Sequence, residues 1–480
     1  MTLYQLSELT EGFPAPLDIP ASAVQQAMAA DTVLIVLDDD PTGTQSVANL
    51  PALTRWKQED LAWALSQNTP AVYVMTNSRS LDPDQAAAIN VSVAEAAYAA
   101  ARDAGKRPIF VSRSDSTLRG HFPLEPDALA GVVEKQEGPI DGYIIVPAFG
   151  DAGRITIDSV HYAGNAATGF QPVGETEFAH DATFGYSSSR LTEWVEEKTQ
   201  GDVAATDVLC IKLRTIRSTS NDIAAELLHA AHRQPIVVDI VDEYDLRALA
   251  LGILQAERMG KRFYLPRGAT LCTRSHRAKP PEVLSPETIA ASRHLPATVA
   301  GGLIVVGSHV PTTTRQLNHL LKHSSPSVIE LDVRAVLAEN SQRYLDSLHT
   351  QLVQAIRQGN VVFHTSRELV TGVSGEESLS IARKVSQALV TAVNRIVHEV
   401  TPRFVVAKGG ITSSDVASQG LEMTKAMVIG PMQPGIISLW STAEGPAAGV
   451  PYIVFAGNVG TDSSLTDVVS VLSQDSSLSH

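Results

Sequence analysis

The chain reads as an α/β protein of two domains. Each is a largely parallel sheet flanked by helices, with the active site expected in the interdomain cleft. Three observations predict this. Short apolar runs alternate with helical patterns through both halves, the signature of parallel sheets covered by helices. The 480 residues exceed what one core ordinarily serves, and 44% apolar with 19% charged residues is the composition of a soluble globular chain. Polar motifs fall just past the carboxyl ends of the predicted strands, where open parallel sheets bind ligands.

In order, an irregular N-terminal arm precedes residues 33–37, V-L-I-V-L, a buried strand. Asp38, Asp39 and Asp40 follow at once, then Pro41, Thr42, Gly43 and Thr44. Three adjacent like charges need cations, a metal or a substrate's protons beside them. Residues 71–76 form the next strand. Asp82 and Pro83 then read as N-cap and first position of an Ala-rich helix ending near Gly105. Strands are expected at 108–112, 143–147, 208–211 and 235–240, with a helix over 223–232. Residues 275–300 hold four prolines and no apolar period, so they read as a linker with one short helix between domains 1–274 and 301–480. The second run has strands at 303–306, 327–331, 360–364, 404–407 and 452–455. Its long helices span 341–357 and 376–400, the latter stopped before Pro402.

A net charge of −15 and a pI near 5.4 argue against nucleic acid or an anionic membrane as partner. Small anions remain open, because a basic pocket can sit in an acidic protein. Cys210 and Cys272 lie far apart without metal spacing and read as buried free thiols of a reducing compartment. The first residues lack the basic and apolar regions of a signal peptide, and no apolar run is long enough to cross a bilayer. A cytoplasmic protein is expected, its oligomeric state open between monomer and homo-oligomer.

Asp38, Asn77, Ser112, Pro147, Ser308, Lys408 and Gly457 all stand at predicted strand ends. In the first half, T-N-S-R contributes Arg79, R-S-D-S-T-L-R-G contributes Arg113, Asp115, Ser116 and Arg119, and G-D-A-G-R-I-T contributes Arg154. A guanidinium fork donates two parallel hydrogen bonds to a substrate carboxylate. Arg154 reads equally well as an ion pair with Asp151. In the second half, V-G-S-H-V-P, A-K-G-G-I-T-S and F-A-G-N-V-G each lead from a strand into a helix. Glycines let backbone N–H groups approach an anion, and a helix N-terminus adds partial positive charge. Three such elements suit a polyphosphate better than a single phosphate.

The G-x-x-x-x-G-K-[ST] loop, G-x-G-x-x-G, H-E-x-x-H and G-x-S-x-G are all missing. His161 and His309 read as local polar contacts, and no metal ligands stand out. Three functions compete. Asp38-Asp39-Asp40-Pro41-Thr42 resembles the D-x-D-x-T motif of haloacid-dehalogenase-type phosphatases, which would make Asp38 a nucleophile. That reading leaves the glycine elements without a task. A two-lobed solute-binding protein would share the cleft but would carry an export signal. A kinase gives both halves work: one binds a small acidic acceptor, the other a nucleotide triphosphate with Mg²⁺.

Taken together, the motifs resemble the four-carbon acid sugar kinase family over nearly the whole chain. D-D-x-T-G matches Asp39, Asp40, Thr42 and Gly43, and D-S-T-L-R-G matches residues 115–120. G-S stands at Gly307 and Ser308, K-G-G-x-T at residues 408–412, and G-N-x-G at residues 457–460. The resemblance implies an ATP-dependent kinase that makes 4-phosphates of tetronates or 3-oxo-tetronates. It implies catalysis at Asp39 and Asp40 and acceptor binding at Thr42, Arg79, Arg113, Asp115, Ser116 and Arg119. ATP is expected at Ser308, Lys408, Gly409, Gly410, Ile411, Thr412, Gly457 and Asn458, with Mg²⁺ as companion. The chain departs from the common pattern in its third acid Asp38, in Pro41, in Arg113 for the usual lysine, and in Ile411 where many relatives carry glutamate. In this register Asp38 is peripheral.

Overall fold

The computed structural model describes residues 3–267, 282–293, 297–367, 370 and 375–474. The chain forms two compact units, Met1–Asp40 with Trp56–Pro280, and Pro41–Arg55 with Pro281–His480. Residues 41–55, read from the sequence as part of the first domain, pack in the second unit. The physical reason lies in the apolar strand Leu50–Leu53, all four residues of which are buried. Ahead of it, Thr44 Oγ1 lies 3.0 Å from Ser438 Oγ and accepts a 3.1 Å hydrogen bond from Trp440 Nε1.

Numbered along the chain, the strands begin with Thr32–Asp38 (β1), Leu50–Leu53 (β2), Ala71–Met75 (β3), Arg107–Arg113 (β4) and Gly142–Ile145 (β5). Arg154–Ile157 (β6), Val160–Asn165 (β7) and Gly169–Pro172 (β8) follow, then Leu209–Ile211 (β9), Gln234–Val238 (β10) and Phe263–Arg267 (β11). In the first unit the order β3-β1-β4-β11-β5-β10-β9 is parallel throughout. Val33 to Leu37 of β1 are all buried, as a strand covered on both faces requires. Each such side chain contributes about 1.5–3 kcal/mol on burial. The alanine-rich helix runs Pro83–Asp103, and the Asp82 side chain accepts from Gln85 N at 3.0 Å, so the expected cap is present. The antiparallel trio β6-β7-β8 was not expected from the sequence. Its strands are short and alternate only partly.

The second unit holds Leu303–Val306 (β12), Ser327–Leu331 (β13), Val361–Thr365 (β14), Val405–Lys408 (β15), Lys425–Gln433 (β16), Ile437–Ser441 (β17) and Tyr452–Phe455 (β18). Here β13-β14-β12-β15-β18 are parallel, and the antiparallel pair β17-β16 with β2 extends them. The hairpin β16–β17 also escaped the sequence reading, since Gly430, Pro431 and a register shift interrupt its pattern. One core cluster joins Ile304, Val306, Phe404, Val406, Ile453 and Phe455 from the sheet to Leu317 and Leu320 of the helix Pro311–His323. The expected linker helix is Pro286–Ala291, capped by Ser285. Among the described residues no helix is long and apolar enough to cross a membrane. Cys210 is half-buried rather than buried, and Cys272 lies outside the described residues.

Candidate active site

In the first unit β1 lies between β3 and β4, so the chain leaves its carboxyl end to opposite sides. Such a switch point opens a crevice at the strand ends. Strand pairing continues into it: Thr76 N donates to Asp38 O at 2.9 Å and Asp39 N to Arg113 O at 3.2 Å. Residues that follow β1, β3 and β4 are thereby brought together.

Arg79 donates through Nε to Asp39 Oδ2 (3.0 Å), through Nη2 to Asp39 Oδ1 (2.6 Å) and through Nη1 to Asp40 Oδ2 (3.3 Å). Its whole fork is thus engaged by two expected catalytic acids. Ser114 Oγ lies 2.9 Å from Asp39 Oδ2 and 3.0 Å from Arg119 O. Gly120, at φ +122°, admits no side chain there, because a Cβ would fall 2.3 Å from Ser114 Oγ and 3.1 Å from Asp39 Oδ2. The next segment is tied back on itself, with Arg119 Nε donating to Asp115 Oδ2 at 2.6 Å and Thr117 Oγ1 to the same oxygen. His161 Nε2 meets Ser116 O at 2.8 Å and Thr156 Oγ1 meets His161 Nδ1 at 2.9 Å, the polar contact expected of that histidine. The Thr42 side chain lies outside the described residues, and its backbone belongs to the 3₁₀ turn Pro41–Ser46.

Asp38 is not peripheral. Its side chain is fully buried, with Oδ1 accepting from Arg113 Nη1 at 3.2 Å and Oδ2 buried without a hydrogen-bond partner. Two departures from the family pattern, the third acid and the arginine, are therefore one ion pair. Burial, helped by the charges of Asp39 and Asp40 and opposed by Arg113, pushes the Asp38 carboxyl up to about 7. Burial acts on Asp115 in the same sense, but Arg79, Arg119 and the Thr117 hydroxyl outweigh it and hold that carboxyl below the ordinary range. Turned inward onto Arg113, Asp38 does not present its carboxylate at the crevice as a phosphatase nucleophile would.

Three further residues join this cluster: two that the sequence did not place in it, and one that it left open between a substrate carboxylate and Asp151. Ser114 and Phe178 are two of them, and the Phe178 ring centre stands 5.4 Å from the guanidinium carbons of both Arg119 and Arg154. The third is Arg154, whose Nη1 donates to Ala152 O and whose Nε is buried without a partner. It makes no ion pair among the described residues. The Asp151 side chain, its alternative partner on sequence grounds, lies outside them. The signal in the sequence was G-D-A-G-R itself, balanced against that neighbour.

In the second unit β12 occupies the switch point, with β14 on one side and β15 on the other. Gly307 N and Ser308 N both lie 3.3 Å from Lys408 O, and Gly409 N donates to Phe455 O at 2.8 Å. The three glycine elements thus form one cradle. A Cβ on Gly307 would fall 2.2 Å from Thr412 Oγ1, on Gly409 2.8 Å from the same atom, and on Gly457 2.5 Å from Ser308 Oγ. Gly410 opens the helix Gly410–Asp415, while Ile411 and Asn458 are exposed at the rim. Lys408 is placed differently from the rest. Its side chain is fully buried, Nζ donates to Ala456 O at 2.6 Å, and Nζ stands 3.6 Å from the Phe455 ring centre. Burial pushes its ammonium down to about 7. Arg367, which the sequence reading missed, donates Nη1 to Ser308 O (2.7 Å) and Nη2 to Thr314 Oγ1 (2.6 Å). Its signal was a position two residues past β14, where T-S-R follows the strand.

Comparison with known proteins follows this division. Residues 34–274 match the model of a sugar-binding N-terminal domain, and residues 303–465 that of a nucleotide-binding C-terminal domain. A D-threonate kinase of Salmonella typhimurium is 24% identical over 448 residues, covering 91% of this chain and 97% of that one. A D-erythronate kinase of Heliobacterium modesticaldum is 26% identical over 429 residues, covering 82% and 88%. The crystal structure of a Haemophilus influenzae protein shares the fold at a TM-score of 0.60 and 16% identity, covering 91% of this chain and 100% of that one. With both domain models matched in sequence order, the chain belongs to the four-carbon acid sugar kinase family.

Proposed function

We propose that this protein transfers the γ-phosphoryl group of ATP to the terminal hydroxyl of a four-carbon sugar acid, a tetronate or 3-oxo-tetronate, giving the 4-phosphate and ADP. The observation that carries the reading is the glycine cradle of the second unit, where Gly307, Gly409 and Gly457 at three strand ends leave no room for a further side chain beside Ser308 and Thr412. A polyphosphate has a use for it and a phosphomonoester hydrolase has none.

On this reading the acceptor lies among Thr42, Arg79, Arg113, Asp115, Ser116 and Arg119. Its hydroxyl oxygen attacks the γ-phosphorus, the bond to the β-bridging oxygen breaks, and the proton passes to the Asp39–Asp40 pair that Arg79 joins. The two carboxylates act as a set, so the proton belongs to the pair. ATP takes Ser308, Gly409, Gly410, Ile411, Thr412, Gly457 and Asn458, while Lys408 acts from beneath through Ala456 O. Among the described residues no three His, Cys, Asp or Glu side chains lie together to hold a metal. Mg²⁺ would enter with the triphosphate and supply neutralisation of its phosphate charge. A cytoplasmic location suits a reaction supplied with ATP.

A coupled assay over a panel of tetronates and 3-oxo-tetronates tests the proposal. ATP turnover that requires a four-carbon sugar acid is expected. Phosphate release from sugar phosphates without ATP would overturn it.

A further inference from the structure

The acceptor of such a reaction carries a carboxylate, and the structure assigns it a receiver outside the motifs that mark the family. Arg79, Arg113 and Arg119 each already face a protein carboxylate, at 2.6, 3.2 and 2.6 Å. We infer that Arg154 takes the carboxylate of the acceptor on its Nε–Nη2 edge, an assignment that rests on the kinase reading for the identity of that acid.

The local chain is built to present this side chain. Arg154 opens β6 directly after Gly153, which sits at φ +69° and whose Cβ would fall 1.6 Å from Gly164 O, so only glycine fits. Backbone hydrogen bonds between Phe149 and Arg154, 2.9 and 3.0 Å, close the turn. The guanidinium is then fixed on two sides, through Nη1 on Ala152 O and through stacking against Phe178. Its remaining edge carries the buried, unpartnered Nε. A buried donor left without an acceptor is costly, which makes the site receptive to an anion that supplies one.

Electrostatics agree with the geometry. Burial lowers the Arg154 guanidinium from its ordinary value, Asp115 offsets this in part, and the charge of Arg119 adds to it. Those two residues belong to the D-S-T-L-R-G segment, so a carboxylate on Arg154 leaves the hydroxyls of a short acid chain directed towards it. Phe178, shared by Arg119 and Arg154, ties the two cations into one wall.

The test measures binding by calorimetry for the wild type, Arg154→Gln and Arg154→Lys, with tetronates and the corresponding neutral tetronamides, followed by ATP turnover. The wild type should prefer the acid. Arg154→Gln should bind it about 100-fold more weakly, with two charge-assisted bonds gone, and should keep its KM for ATP and its weak amide binding. Should Arg154→Gln fail to fold, Arg154→Lys, which keeps the charge without the fork, reads the same loss in part. Equal affinity of wild type and variants for the acid overturns the inference, as does a wild type that fails to separate acid from amide. Arg154-dependent acid binding without ATP turnover would instead uphold it while removing the kinase reading.

Discussion

Arg79 grips Asp39 along one full edge of its guanidinium, Nε to Oδ2 at 3.0 Å and Nη2 to Oδ1 at 2.6 Å, and reaches Asp40 with its remaining nitrogen. Asp39 is buried, and the Arg79 side chain is 20% exposed. The pair therefore sets the direction of both acids at the end of β1. Lysine in place of Arg79 keeps the charge and loses the fork. Breaking one partner of a buried pair costs about 3–5 kcal/mol, and a displaced carboxylate costs about 100-fold in rate. Arg79→Lys should thus lower kcat by at least about that factor and leave ATP binding to the second unit intact, as measured by calorimetry. Asp39→Asn and Asp40→Asn should abolish turnover with the same persistence of ATP binding. Normal turnover by Arg79→Lys would show that the orientation of Asp39 does not matter.

Asp38 yields a prediction about pH. Arg113, Asp39, Asp40 and Arg79 are the charges that act on it, and burial dominates in raising it to about 7, against roughly 3.9 in an unfolded chain. Between those values the folded protein holds a proton that the unfolded chain releases. The stability tied to this group is complete below the unfolded value and is lost as pH rises through about 7. Asp38→Asn cannot titrate. Relative to wild type its stability should therefore improve from pH 5 to about pH 7 and level off by pH 8, read from urea midpoints. A difference that stays constant over that range would mean Asp38 is ionised in the fold throughout.

How far the sequence could be read follows from the kind of signal each element leaves. Strands buried on both faces are continuous apolar runs, so β12 and β18 were placed to the residue. The excursion of residues 41–55 was invisible, because nothing local in L-P-A-L says which sheet will take it. The Asp39, Asp40, Arg79 and Arg119 cluster was legible because parallel strands deliver their carboxyl ends to one edge. Side-chain direction was not. Lys408 turns inward to Ala456 O, and Asp38 turns inward to Arg113. Both orientations depend on packing that no neighbouring residue records.

The glycine cradle sets a steric prediction. Gly457→Ala places a methyl 2.5 Å from Ser308 Oγ, and Gly307→Ala places one 2.2 Å from Thr412 Oγ1. Either change should raise the KM for ATP by about tenfold or more, the scale of one lost hydrogen bond to a charged phosphate, with the KM for the sugar acid unmoved. Gly131→Ala serves as control. It lies in the helix Leu124–Glu137 with open space around its Cβ, and should stabilise the protein by about 0.5–1 kcal/mol. Unchanged ATP kinetics in both cradle variants would place the nucleotide elsewhere.

Lys408 gives the last prediction, because its charge is both buried and close to that cradle. Burial alone pushes it down to about 7 from an unfolded value near 10.4. The sign is the reverse of the Asp38 case: its contribution to stability is complete above the unfolded value and is lost as pH falls through about 7. Lys408→Met, similar in length and uncharged, should accordingly gain stability over wild type as pH is lowered from 9 to 6. A triphosphate bound above Ala456 and Gly457 would favour the ammonium and draw a proton onto the lysine. Near pH 7.5 ATP binding to wild type should then take up part of a proton, visible as a dependence of calorimetric enthalpy on the ionisation enthalpy of the buffer. Lys408→Met should show less uptake and a higher KM for ATP. Identical uptake by the two proteins would mean that bound ATP does not sense the lysine, and that its service to the site is confined to holding Ala456 O.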